Sequence, residues 1–198
     1  FEMDELIAKF SLEKIHKGGA IFDTEKLNWM NWQWQKKKYL AGSEGPSIKL
    51  LKLCGAYLPS EWKNNSERLA RALVSVEEKI LQDPKKVQEY LHFYFEDFEV
   101  SMDILLNPKM NVTFENIKPT LRVAEDELSK WDDFSNPGAL QKPLLDAVEK
   151  LGVKKGQVLW PVRVALTGQQ FSPGVFEVVW VYGKKETLEK LKKLIAKI

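Results

Sequence analysis

Residues 160–177 read W-P-V-R-V-A-L-T-G-Q-Q-F-S-P-G-V-F-E. The stretch spells two helices joined by a tight corner. Pro161 suits a first helical turn, where its missing N–H would lack a helical partner in any case. Val162, Val164, Ala165 and Leu166 supply the apolar part of that helix. Gly168 stands where a left-handed C-terminal cap is expected. Ser172-Pro173 then restarts the chain, with Ser as N-cap and Pro at the first helical position. Val175, Phe176, Val178 and Val179 form the apolar side of the second helix, and Gly183 ends it.

Arg163 is the only charge between Lys155 and Glu177. Close to the unpaired N–H groups expected at residues 172–175, a guanidinium there can grip a phosphate or a base edge. The plainer reading is an arginine paired with a nearby carboxylate such as Glu177, as half-buried arginines usually are. The residues alone leave both open.

Outward from this corner the pattern stays helical. Met3, Leu6, Ile7 and Phe10 share one helix side, and Ser11 can cap a short helix through Ile15 before Gly18-Gly19 breaks it. Asp23 and Thr24 offer an N-cap for a helix over 25–40. Its Leu27, Trp29 and Met30 are expected to face the core, whereas Trp32 and Trp34 cannot both do so. A linker at 42–46 precedes helices over 48–57, 67–82 and 84–95, with Ser66 as a cap and Phe93, Phe95 and Phe98 as an aromatic cluster. After a break at 107–112, Pro119 is expected in the first turn of a helix that runs to Lys130. An amphipathic segment at 140–151 ends at Gly152, and Leu188, Leu191, Leu194, Ile195 and Ile198 give the tail a helical period, its lysines forming a solvated face. No strand pairs and no repeat appear. The expectation is an all-α chain of about nine or ten helices in two bundles, divided near 107–116.

Composition narrows the function. The 198 residues carry a net charge of only +2, so a nucleic-acid site must come from local clustering rather than bulk charge. The single cysteine, Cys54, excludes an internal disulfide and points to a reducing compartment; its apolar neighbours make it a buried residue. No apolar run approaches the ~20 residues of a membrane span. His16 and His92 are far apart, and His92, between Leu91 and Phe93, reads as a structural histidine. No zinc, P-loop or G-x-S-x-G motif occurs. The carboxylate neighbours Glu96-Asp97 and Asp132-Asp133 do not face each other on a helix, so neither makes a catalytic dyad.

Four runs carry a family resemblance: P-V-R-V-A-L-T-G (161–168), S-P-G-V-F-E (172–177), Y-G-K-K-E-T-L-E-K-L (182–191) and, far upstream, F-D-T-E-K-L-N-W-M-N (22–31). In this order they resemble the C-terminal end of bacterial-type glutamyl-tRNA synthetases. The resemblance covers essentially the whole chain, more weakly between Ala41 and Gly156. It implies the end of a stem-contact region at 1–41 and a two-part α-helical cage that binds the anticodon, at 42–110 and 111–198. The H-x-G-H-like and K-M-S-K-S-like motifs of class I catalysis are absent, so the chain is expected to be inactive alone, with ATP and Mg2+ used elsewhere in a parent glutamate–tRNA ligase and no cofactor in this chain.

By the same resemblance, Arg163 contacts anticodon base 34, and Ser172, Pro173, Val175 and Phe176 form the loop and helix start that pack on anticodon bases. Discriminating members read base 36 with an arginine whose equivalent falls near 75–86. None is present; Lys79 is the nearest match, and a lysine lacks the planar fork of arginine. Whether the glutamine tRNA is accepted beside the glutamate one therefore stays open. The expected partner is tRNA(Glu), and the expected setting is a cytoplasmic monomer with no membrane contact. The rival reading is a helical protein–protein module that uses Trp32, Trp34 and Trp62 as its contact surface.

Overall fold

The computed structural model describes residues 3–11, 23, 24, 26, 27, 29, 30, 33 and 45–198. The expectations for Ser11 as a cap, Gly18-Gly19, His16, Trp32, Trp34, residues 34–40 and most of the 42–46 linker rest on segments outside these. Helix α1 (Met3–Lys9) leaves Met3 and Ile7 largely exposed. Asp23 Oδ1 accepts from Lys26 N–H at 3.0 Å, as an N-cap should. Trp29 does not face the core: it is 58% exposed, and Leu27 and Met30 are exposed with it. Among the described residues the buried cluster begins only at Leu50, and none of those before it joins that core.

Helix α2 (Pro46–Cys54) opens on a proline and buries Leu50 and Cys54, one turn apart. The Cys54 thiol donates to the Leu50 carbonyl at 3.0 Å, and burial pushes its pKa up to about 11. A short 3-10 turn (Glu61–Asn64) carries Trp62, which is 6% exposed and stacked on Phe95 with centroids 4.7 Å apart. Trp62 is therefore a core residue rather than a contact surface. Its ring buries enough apolar area to anchor this end of the molecule.

Helix α3 (Ser66–Ser75) buries Leu69, Ala72 and Leu73 at spacings of three and four. Its cap is Asn65, not Ser66: Asn65 Oδ1 accepts from Arg68 N–H at 3.1 Å. The single helix expected over 67–82 is broken. Val76, at φ −121° and ψ 22°, turns its buried side chain inward, and α4 (Glu77–Gln82) restarts after it. Pro84–Lys86 forms a 3-10 turn, and α5 (Val87–Phe95) and α6 (Met102–Leu105) follow.

Helix α7 (Phe114–Lys130) starts earlier than Pro119 suggested, since Thr113 N–H bonds to Asn116 Oδ1 at 2.9 Å in a capping box. Pro119 sits inside the helix, where the carbonyl four residues earlier loses its donor. Helix α8 (Gln141–Leu151) ends on Gly152 at φ +64°, as expected. Helix α9 (Lys155–Thr167) likewise begins a turn and a half before Pro161, which is an interior residue. Helix α10 (Val175–Lys197) is broken at Gly183, where its first part ends as expected. The glycine takes φ 71° and ψ 178°, outside any helical well, and the helix resumes beyond it.

Helices α7 to α10 pack on one another, α2 to α5 pack together, and α10 lies across α3. The junction is stitched by polar groups. Arg68 bonds to the Tyr94 carbonyl at 3.2 Å and pairs with Glu186, and the Tyr182 hydroxyl donates to the Phe93 carbonyl. The tail lysines are not all solvated. Lys190 is half-buried between the rings of Phe98 (4.6 Å) and Tyr182 (4.9 Å), and burial lowers its pKa. The protein is all-α: among the described residues the one β-type pairing is an isolated bridge between Asn107 and Val112. None of their helices is long and apolar enough to cross a membrane.

Candidate nucleic-acid interface

The corner between α9 and α10 is built from seven residues, 168–174. Gly168 begins it at φ +62°, and its N–H closes the last turn of α9 on the Val164 carbonyl at 2.8 Å. Any side chain is strained here, since a Cβ would lie 2.7 Å from Phe98 Cδ2. Thr167, fully buried, donates to the Arg163 carbonyl at 2.9 Å and accepts from Gln169 N–H at 3.2 Å. Ser172 is not the N-cap. The second helix starts later, at Val175 behind an extended Gly174, because the Ser172 hydroxyl is engaged elsewhere.

That engagement is with Arg163. Its Nη1 donates to Ser172 Oγ at 2.8 Å and its Nη2 to the Gln170 carbonyl at 3.1 Å. Its guanidinium lies 4.9 Å from the centroid of Trp160. Trp160 is pinned in turn, its indole N–H shared between the carbonyls of Ile104 (3.2 Å) and Leu105 (3.1 Å). Among the described residues no carboxylate pairs with Arg163, and Glu177 instead folds back over Gly174 at the start of its own helix. Burial alone lowers the Arg163 pKa, and a guanidinium stays charged regardless. The corner thus holds a full positive charge whose protein contacts are a hydroxyl, a carbonyl and a ring face.

Beside it, Phe171 is 79% exposed. Next to Gln170 and Trp160 opens a groove of about 310 Å³, walled by Ile104, Asn107, Pro108 and Lys109, with Asp103 at its edge. Residues 49–195 match the anticodon binding domain family. The chain belongs to that family. Its relatives include the glutamate–tRNA ligase of Clostridium botulinum, 33% identical across 97% of this chain and 38% of the relative. The Thermodesulfovibrio yellowstonii glutamate–tRNA ligase is 32% identical across 98% of this chain and 41% of the relative. The chain therefore spans about two fifths of the length of these curated relatives. A glutamate tRNA ligase from Elizabethkingia meningosepticum, solved in complex with its amino acid, shares the fold at a TM-score of 0.66 and 24% identity, covering 98% of this chain and 36% of that one.

Within this anticodon-binding domain the residues singled out in the sequence fall into two groups. Arg163, Ser172 and Pro173 lie together at the corner, half-buried, and Phe176 is half-buried just beyond; Val175 is buried in the core. Lys79 is separate, exposed on α4 with its ammonium 5.6 Å from the Tyr90 ring centroid. Sequence reasoning passed over Phe171, Trp160 and Gln170. The one signal for Phe171 is a lone aromatic inside the polar run Q-Q-F-S, where a core helix has no use for it. Among the described residues no group of three or more His, Cys, Asp or Glu side chains converges as a metal site would require.

Proposed function

We propose that this chain binds the anticodon arm of a tRNA, as part of a glutamate–tRNA ligase that charges tRNA(Glu). The observation that carries the reading is Arg163: a half-buried guanidinium with no carboxylate partner among the described residues, aimed by Ser172 and Gln170 and followed in the corner by an exposed aromatic ring. Loop bases of a tRNA are unstacked and offer both faces and edges. Phe171 supplies a stacking platform, worth about 1–3 kcal/mol per base in single-strand binders. Arg163 donates to the edge of base 34. The groove takes a neighbouring nucleotide, with Lys109 near its phosphate and Asp103 disfavouring a second one.

Activation of glutamate with ATP and Mg2+ falls, in this reading, to parts of a ligase outside the region this chain spans. The protein acts as a monomer in the cytoplasm. Acceptance of the glutamine tRNA turns on the exposed Lys79, a point charge where an arginine fork would select one base edge. The protein–protein alternative is weakened by the burial of Trp62, one of the three aromatics it relied on.

The test is the affinity of the 198-residue chain for anticodon stem–loop hairpins with each base at position 34, at two salt concentrations. Binding that falls with salt and ranks the hairpins by base 34 is expected. Absence of binding, or equal binding of all hairpins, would return the protein to the interaction-module reading.

A further inference from the structure

The corner is not held by its own residues alone. Gln169 reaches back to His92 on α5, with Gln169 Nε2 3.1 Å from His92 Nε2. The other ring nitrogen, Nδ1, lies 3.1 Å from the carbonyl oxygen of Glu89. A carbonyl oxygen only accepts, so Nδ1 carries the hydrogen, and Nε2 of the neutral ring is a bare acceptor. The amide NH2 of Gln169 donates to it. Tautomer and amide orientation thus fix each other. The ring is further held edge-on to Phe93, centroids 5.8 Å apart.

The consequence appears at the far end of the amide. With its NH2 engaged by His92, the carboxamide oxygen of Gln169 has no hydrogen-bond partner among the described residues. Gln169 itself directly precedes Gln170, whose carbonyl accepts from Arg163. Arg163 presents only donors. The exposed edge of an unpaired base carries donors and acceptors side by side, so a guanidinium alone meets half of it.

We propose that His92 is a positioning residue of the RNA interface: it holds Gln169, in the same corner that Arg163 bonds to, with its carboxamide oxygen free as the acceptor for a base N–H. This rests on the RNA-binding reading above. Gln169 is the contacting group and His92 acts through it, from a helix that touches the corner only in the folded protein.

Two measurements test it. Long-range 15N NMR of the imidazoles should report the Nδ1–H tautomer for His92; an Nε2–H tautomer would overturn the proposal. Hairpin affinity should fall about fivefold in Gln169→Ala, the worth of one net hydrogen bond. His92→Phe, which keeps a ring but loses the acceptor, should fall by a similar factor. His92→Gln, which can still accept from Gln169, should stay within about twofold of the wild type. The double variant His92→Phe/Gln169→Ala should bind no more weakly than Gln169→Ala. Wild-type affinity in Gln169→Ala, or losses that multiply in the double variant, would overturn the inference alone. A wild-type chain that binds no hairpin would overturn the RNA reading and this inference with it.

Discussion

Arg68 and Arg163 are both partly buried, yet their surroundings differ in kind. Arg68, at the junction of α3 and α10, pairs with Glu186, the two side chains 23% and 27% exposed, and caps the Tyr94 carbonyl. Its charge is neutralised within the protein. Arg163, at the corner, meets a hydroxyl, a carbonyl and an indole face, so its charge is oriented and left available. A half-buried arginine with a carboxylate holds a fold together. One with only neutral partners keeps its charge uncompensated, at some cost to the free protein in desolvation.

The comparison breaks most visibly at Arg68. Arg68→Ala leaves Glu186 without its partner and should lower stability by about 3 kcal/mol, or roughly 6–12 °C in melting temperature for a chain of this size. Thermal melts by circular dichroism read it. A change under about 2 °C would mean the junction pair does not carry the stability assigned to it.

Gly168→Ala sits between the two cases, because it strains the corner itself. A side chain at φ +62° and in overlap with the Phe98 ring should cost about 2 kcal/mol of stability and weaken RNA binding together. Normal stability would show that Phe98 yields easily.

Arg163→Ala separates the two arginines most sharply. Losing bonds to neutral, hydratable groups should change stability by less than about 1 kcal/mol. Hairpin affinity should fall by about 1–3 kcal/mol, with discrimination relaxed at base 34 and kept at the other positions. A loss equal across all hairpins would indicate a phosphate contact instead. A melting-temperature drop as large as that of Arg68→Ala, with base-34 discrimination intact, would make Arg163 a structural residue.

Phe171→Ala should leave stability within about 0.5 kcal/mol, since an exposed ring packs on little. It should weaken hairpin binding by about 1 kcal/mol, the low end for stacking. The smallest effect is expected at Lys79→Arg, which keeps the charge and the position over Tyr90. In a full-length ligase it should raise preference for the glutamate over the glutamine tRNA a few-fold; an unchanged ratio would remove α4 from the interface.

Where sequence and structure part, packing between distant residues has overridden a local preference. A proline at N1 loses nothing, so first turns are where Pro119 and Pro161 are expected. Both sit inside helices, where packing of Ile117 and Leu121, or of Val158 and Val162, outweighs one lost bond. Val76 broke a helix that its sequence period continued, since burial of its side chain competed with helical geometry. Ser172 looked like a cap because Ser-Pro favours one, but a guanidinium nine residues earlier claimed its hydroxyl.

The sequence by itself determined the all-α class, the glycine caps at 152 and 168 and the break at 183. These depend on residues within a turn or two of each other, where backbone sterics and side-chain period act directly. Only the tertiary structure decided that Arg163 meets a hydroxyl, a carbonyl and a ring face, with no carboxylate among the described residues, that Trp62 is core, that Phe171 is exposed and that His92 meets Gln169 across 77 positions. Those outcomes depend on how helices distant in sequence pack, and no local pattern encodes which side chain ends opposite which.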